Sequence, residues 1–128
     1  MNYKKKSKMW NTYHIPERVL KWYSNMDYYK TRPILVISDS SSLENKCLVV
    51  ELSTHDALNP YRLQWYNFYS KKDQRMKTSY ILPNRIHTVS RNYLRDVYKS
   101  HNKKYRSLSI ELKQQIYDFI RNLLNEKS

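Results

Sequence analysis

Arg32-Pro33-Ile34-Leu35-Val36-Ile37 is the stretch whose reading decides the fold. Four consecutive branched apolar residues cannot alternate between core and water, so they predict a strand covered on both faces. Pro33 has no N–H to give to a sheet ladder, and the first residue of a strand tolerates that loss. Arg32 is thereby placed at the rim, where its guanidinium can meet an anion with two parallel hydrogen bonds.

Working outward, Cys47-Leu48-Val49-Val50-Glu51-Leu52 is a second buried run, and it ends in Ser53-Thr54-His55. Leu63-Gln64-Trp65-Tyr66-Asn67-Phe68-Tyr69 alternates loosely and predicts a half-exposed strand. Residues 79–82 and 86–89 complete the set, and short strands separated by turns predict a small barrel or sandwich. Residues 1–14 are polar and basic and are expected to be mobile, which leaves 15–128 as a single domain. Val19-Leu20-Lys21-Trp22-Tyr23 is expected to open the sheet, although Pro16-Glu17-Arg18 also permits a short helix there. Ser90 can cap a short helix reaching Tyr98. Ser109 can cap a last helix near 109–125, with Glu111 in its first turn and Leu112, Ile116, Ile120 and Leu123 in one stripe. The expected fold class is mainly β with a C-terminal helix (α+β).

The chain has 128 residues, 40% of them hydrophobic and 27% charged, which is ordinary for one globular domain. Glycine is absent, where average usage would supply about nine. Left-handed turn positions must then fall to Asn, Asp or Ser, as in Ser38-Asp39-Ser40-Ser41-Ser42 and Asn59-Pro60. The net charge is +13, from 24 Lys and Arg against 11 Asp and Glu. That balance points to a polyanionic partner. The cations gather at Lys4-Lys5-Lys6-Lys8, Lys71-Lys72-Arg75-Lys77 and Lys99-Lys103-Lys104-Arg106. Thirteen tyrosines and three tryptophans are interleaved with them. Rings beside cations suit unstacked single-stranded bases, although β propensity alone accounts for most of the tyrosines as half-buried strand residues.

Cys47 is the single cysteine; it cannot form an internal disulfide and reads as a small core residue in a reducing cytoplasm. No apolar run approaches the length of a membrane span, and no apolar signal core follows the basic N-terminus, so a cytoplasmic location is expected. His14, His55, His87 and His101 are scattered without metal-ligand spacing, and neither metal nor cofactor is expected.

Taken in order, these segments resemble the MazF/PemK family of toxin ribonucleases. That family shows a basic residue and an Arg-Pro pair opening an apolar strand, then a strand ending in Ser or Thr. A strand beginning near Lys77-Thr78-Ser79-Tyr80-Ile81-Leu82 and leading into Arg85-Ile86-His87-Thr88-Val89 matches its later part. The resemblance covers roughly residues 18 to 124. It implies a small SH3-like β-barrel, a homodimer, single-stranded RNA as substrate and an acidic antitoxin protein, or an RNA antitoxin, as partner. It implies Arg32 and Ser53 as the active pair, with Thr54 the neighbouring alternative hydroxyl. Lys30, Lys77, Arg85 and His87 are the expected RNA-binding residues. Ser24 to Thr31 replaces a loop in which the family carries glycines, and Asn84 stands where some members have an aspartate.

Cleaving RNA without a metal requires removal of the 2′-hydroxyl proton, charge on the phosphorane, and a proton for the 5′-oxygen. Arg32 suits the electrostatic role. A hydroxyl is a poor acid, so His55, whose imidazole titrates near neutrality when unperturbed, is the added acid–base candidate. Ser79 is expected to be a structural hydroxyl. Two other readings stay open: a non-catalytic nucleic-acid- or protein-binding module on the same barrel, including a gyrase-poison-like one, and a phage-defence ribonuclease.

Overall fold

A computed structural model of the chain describes residues 9–20, 31–38, 45–55, 58–94 and 107–126. Five strands form one antiparallel sheet: β1 (Thr12–Pro16), β2 (Thr31–Val36), β3 (Lys46–Ser53), β4 (Leu63–Ser70) and β5 (Arg75–Ser90). Their order across the sheet is β1-β2-β3-β5-β4. Among the described residues no pairing joins the β1 and β4 edges, so the sheet is open. A terminal helix, α1 (Ile110–Glu126), completes the domain. No helix among the described residues is long and apolar enough to cross a membrane.

The central strands are covered on both faces, as their unbroken apolar runs require. Ile34, Val36, Cys47 and Val49 point to one core with Tyr13, Ile15, Leu20, Val89 and Leu94. Leu35, Ile37, Val50 and Leu52 point to the other, closed by Ile81 and by Leu108, Leu112 and Ile116 at and before α1. Ser109 caps α1, its Oγ accepting the Leu112 N–H at 3.1 Å. Ser90 Oγ likewise accepts the Tyr93 N–H at 3.4 Å where residues 91–94 turn helical; the rest of that expected helix lies outside the described residues.

Two expectations are corrected. Strand β1 includes Thr12, Tyr13 and His14, the end of the segment expected to be mobile. Pairing from Thr12↔Leu35 to Pro16↔Thr31 holds the strand, and Tyr13 and Ile15 are 2% and 0% exposed. Val19 and Leu20 do not open the sheet; Glu17–Val19 form a 3-10 turn directly after β1, the short helix that Pro16-Glu17-Arg18 permits, and residues 21–23 lie outside the described residues.

The segments expected as separate strands at 79–82 and 86–89 are halves of β5. Its register against β3 jumps from Val50↔Ile86 to Glu51↔Leu82, which inserts Pro83, Asn84 and Arg85 on the β5 side. A proline without an N–H belongs at such an irregularity. Among the described residues, left-handed backbone falls to Trp10, Asn45 and Gln74, of which Asn45 is of an expected type; residues 39–42 of the expected serine-rich turn lie outside the described residues.

Candidate functional site

Arg32 is the second residue of β2, on the face of the first core, the face opposite α1. The recorded β2–β3 pairing stops at Ile34↔Glu51. Arg32 lies two residues before Ile34 on β2, and Ser53 two residues after Glu51 at the end of the neighbouring β3. The pairing Ile15↔Arg32 brings the arginine beside the turn that follows β1. There its Nε donates to Glu17 Oε1 at 2.8 Å. The Glu17 side chain is 6% exposed and that of Arg32 is 31% exposed. A buried carboxylate thus holds the inner edge of a guanidinium whose outer part reaches solvent.

The same arrangement recurs one strand away. Glu51 lies on β3, and its carboxylate is almost fully buried. His87 Nε2 is 2.7 Å from Glu51 Oε2 with both side chains buried. With the carboxylate ionised, Nε2 carries the proton and donates. Arg85 Nη1 lies 3.6 Å from Glu51 Oε1, an ion pair longer than a hydrogen bond, with 34% of its side chain exposed. The register Val49↔His87 sets the ring on the first-core face. The three-residue insertion carries Arg85 to the same carboxylate. Arg32 on β2 and Arg85 on β5 therefore flank Glu51 and Ser53 on β3.

Ser53 Oγ accepts the His55 N–H at 3.0 Å, which turns the chain just past β3 and leaves the serine its own proton to donate. Thr54 is half-buried and His55 is exposed in that turn. His87, expected to offer its ring to RNA, is instead buried on Glu51. Lys77 forms an ion pair with Asp73 four residues earlier, away from Arg32 on the outer part of β5. The hydrogen bond from Lys77 is the largest influence holding the Asp73 carboxyl below the ordinary aspartate range, with the charges of Lys77, Arg75 and Lys72 adding to it. Asn84 Oδ1 accepts from Asn59 Nδ2 at 3.1 Å, and Asn59 in turn accepts the Tyr61 N–H, so Asn84 anchors the loop before β4. Ser79 is buried. Lys30 and the first and third lysine clusters lie outside the described residues. Among the described residues no three His, Cys, Asp or Glu side chains gather in a way that could hold a metal ion.

Sequence reasoning missed Glu17 and Glu51. For Glu51 the signal was present: a single carboxylate inside an apolar strand must find a cation or a donor, because an unpaired buried charge is strongly unfavourable. Compared with known proteins, the chain matches no protein-family model and no curated sequence.

Proposed function

We propose that this protein is a MazF/PemK-like endoribonuclease that cleaves single-stranded RNA by attack of the 2′-hydroxyl on the adjacent phosphate. The observation that carries this reading is Arg32, anchored at its inner edge by Glu17, with Ser53 at the end of the neighbouring β3 and Arg85 on the far side of that strand. Arg32 supplies positive charge to the phosphorane oxygens, and Arg85 a second cation along the RNA backbone. Ser53, or Thr54 beside it, hydrogen-bonds the reacting phosphate. His55, exposed at the end of β3, exchanges protons with the 2′-hydroxyl or the 5′-oxygen. These groups cover charge and proton transfer without calling on a metal. The proposal includes an SH3-like barrel, supported by a long β5 that breaks register at residues 83–85 and pairs with both β3 and β4. It also includes a homodimer in the cytoplasm held inactive by an acidic protein or RNA antitoxin, which the +13 charge favours.

A second reading, a non-catalytic binding protein, is favoured by the burial of His87 and by the engagement of Arg32 Nε with Glu17. One experiment separates the two. Purified protein is incubated with a mixed RNA pool in chelator, and the ends are mapped. The nuclease reading expects cuts bearing 2′,3′-cyclic phosphate. Activity abolished by chelator and restored by magnesium refutes metal-independent cleavage. RNA left whole with and without magnesium favours the binding protein.

A further inference from the structure

Pairing between β3 and β5 ends at Ser53↔Tyr80. β4 and β5 continue together for five further pairs, from Tyr66↔Ser79 to Ser70↔Arg75. At about 3.3 Å per residue, this two-stranded ribbon extends roughly 16 Å beyond the end of β3. An isolated ribbon is marginal in water, and polar residues would suit its exposed faces. It carries aromatic rings instead. The register passes from Gln64↔Tyr80 to Tyr66↔Ser79, so Trp65 is the extra residue of a bulge. Ser79 shares the face of Ile81, which sets Tyr66 and Phe68 on the α1 side of the sheet. Ring centroids lie 5.2 Å apart for Trp65 and Tyr66 and 5.9 Å apart for Tyr66 and Phe68.

The inner end of this series is fixed. Trp65 packs against the second core, and its Nε1 donates to Ser107 O at 3.4 Å. The outer end is half-exposed and cationic. Phe68 stands directly across from Lys77, and the turn beyond it exposes Lys71, Lys72 and Arg75 with Asp73 as the one acid.

We propose that the β4–β5 ribbon is a binding arm for single-stranded nucleic acid. Bases stack on Tyr66 and Phe68 while Lys71, Lys72 and Arg75 engage phosphates. A closed duplex keeps its base faces inside the stack, so half-exposed rings favour unpaired strands. Four cations around the rings favour a polyanion over a protein surface. The inference does not depend on cleavage, since it holds for a nuclease and a binding protein alike.

The test uses the full chain and a short fluorescein-labelled 2′-O-methyl oligonucleotide, which cannot be cut through its 2′ position, read by anisotropy across a salt series. Tyr66→Ala and Phe68→Ala are each expected to weaken binding about fivefold or more. The combined Lys71→Ala, Lys72→Ala and Arg75→Ala variant is expected to make the log–log salt slope shallower by about 2. Those three side chains are exposed, so this arm stays decisive if a ring variant unfolds. The proposal is overturned if the parent binds no oligonucleotide, or if the triple variant keeps the parental slope. It is also overturned if folded ring variants bind as tightly as the parent, or if a duplex competes as well as the single strand. Ring variants that convert a sedimenting dimer to monomer without loss of affinity would make the ribbon a protein interface instead.

Discussion

Arg32→Ala should damage catalysis and stability together, and the two losses should be separable. Loss of one preorganised donor to a developing oxyanion costs about 3 kcal/mol, so cleavage should slow roughly 100-fold or more. The stability loss comes from Glu17, whose side chain is 6% exposed and would lose its 2.8 Å bond. Breaking a fully buried pair costs roughly 3–5 kcal/mol, and exposed pairs contribute at most about 1. With Arg32 about a third exposed, roughly 2 kcal/mol is expected, and a thermal midpoint lower by roughly 5–10 °C. Adding Glu17→Gln removes the stranded charge and should recover about half of that stability, appearing as a coupling near 1 kcal/mol in a double-mutant cycle. It should not recover cleavage. Arg32→Lys keeps a cation near Glu17 but loses the planar fork, so it should fold well and cleave poorly. Urea unfolding followed by tryptophan fluorescence and cleavage of labelled RNA provide the two readouts. If Arg32→Ala cleaves as fast as the parent, the arginine is not at the reacting phosphate. If the double variant recovers cleavage along with stability, the arginine acts only through the fold.

Three further perturbations follow from other parts of the structure. Gln74 has φ of 52° in the turn between β4 and β5, so Gln74→Gly should raise stability by about 0.5–1 kcal/mol in urea unfolding; a fall would mean that the side chain stabilises the turn. The Asp73 carboxyl is held low by Lys77. Its stabilising contribution is therefore present above the ordinary aspartate pKa and is lost as pH falls through the lower folded value. Lys77→Met should raise the Asp73 midpoint in an NMR titration, and an unmoved midpoint would count against the ion pair. Ile116 is fully buried under the sheet, so Ile116→Ala should cost about 2–5 kcal/mol by urea unfolding; a loss below about 1 kcal/mol would mean that α1 does not close the second core.

Local pattern made much of the architecture legible. Arg32-Pro33 marks where a doubly covered strand begins, and Ser109 with the Leu112–Ile116 spacing marks α1; neither reading needs knowledge of a distant partner. Strand β1 was hidden because its strongest evidence, the pairing of Tyr13 with Ile34, joins residues twenty-one positions apart. β5 read as two strands because Pro83 breaks the pattern, whereas the structure absorbs the break as an insertion while the chain continues. The alternation around His87 was legible, but which face is buried depends on its register with Val49. That register turns an expected RNA contact into an internal one.

The two buried carboxylates distinguish a site from a merely basic surface. Acids are fewer than half as numerous as bases in this chain, yet Glu17 and Glu51 lie at the inner ends of Arg32 and Arg85. A free arginine side chain carries about 2 kcal/mol of rotamer entropy, so anchoring its inner edge sets the direction of its outer N–H groups before any phosphate arrives. The ribbon lysines have a different character. Lys71 and Lys72 are exposed, and their charge acts through displaced counterions, which depends little on direction. Changes on the ribbon should therefore move affinity and its salt dependence. Changes to Arg32 should instead move the rate at saturating RNA, because that cation, unlike the ribbon lysines, is held in place for a transition state.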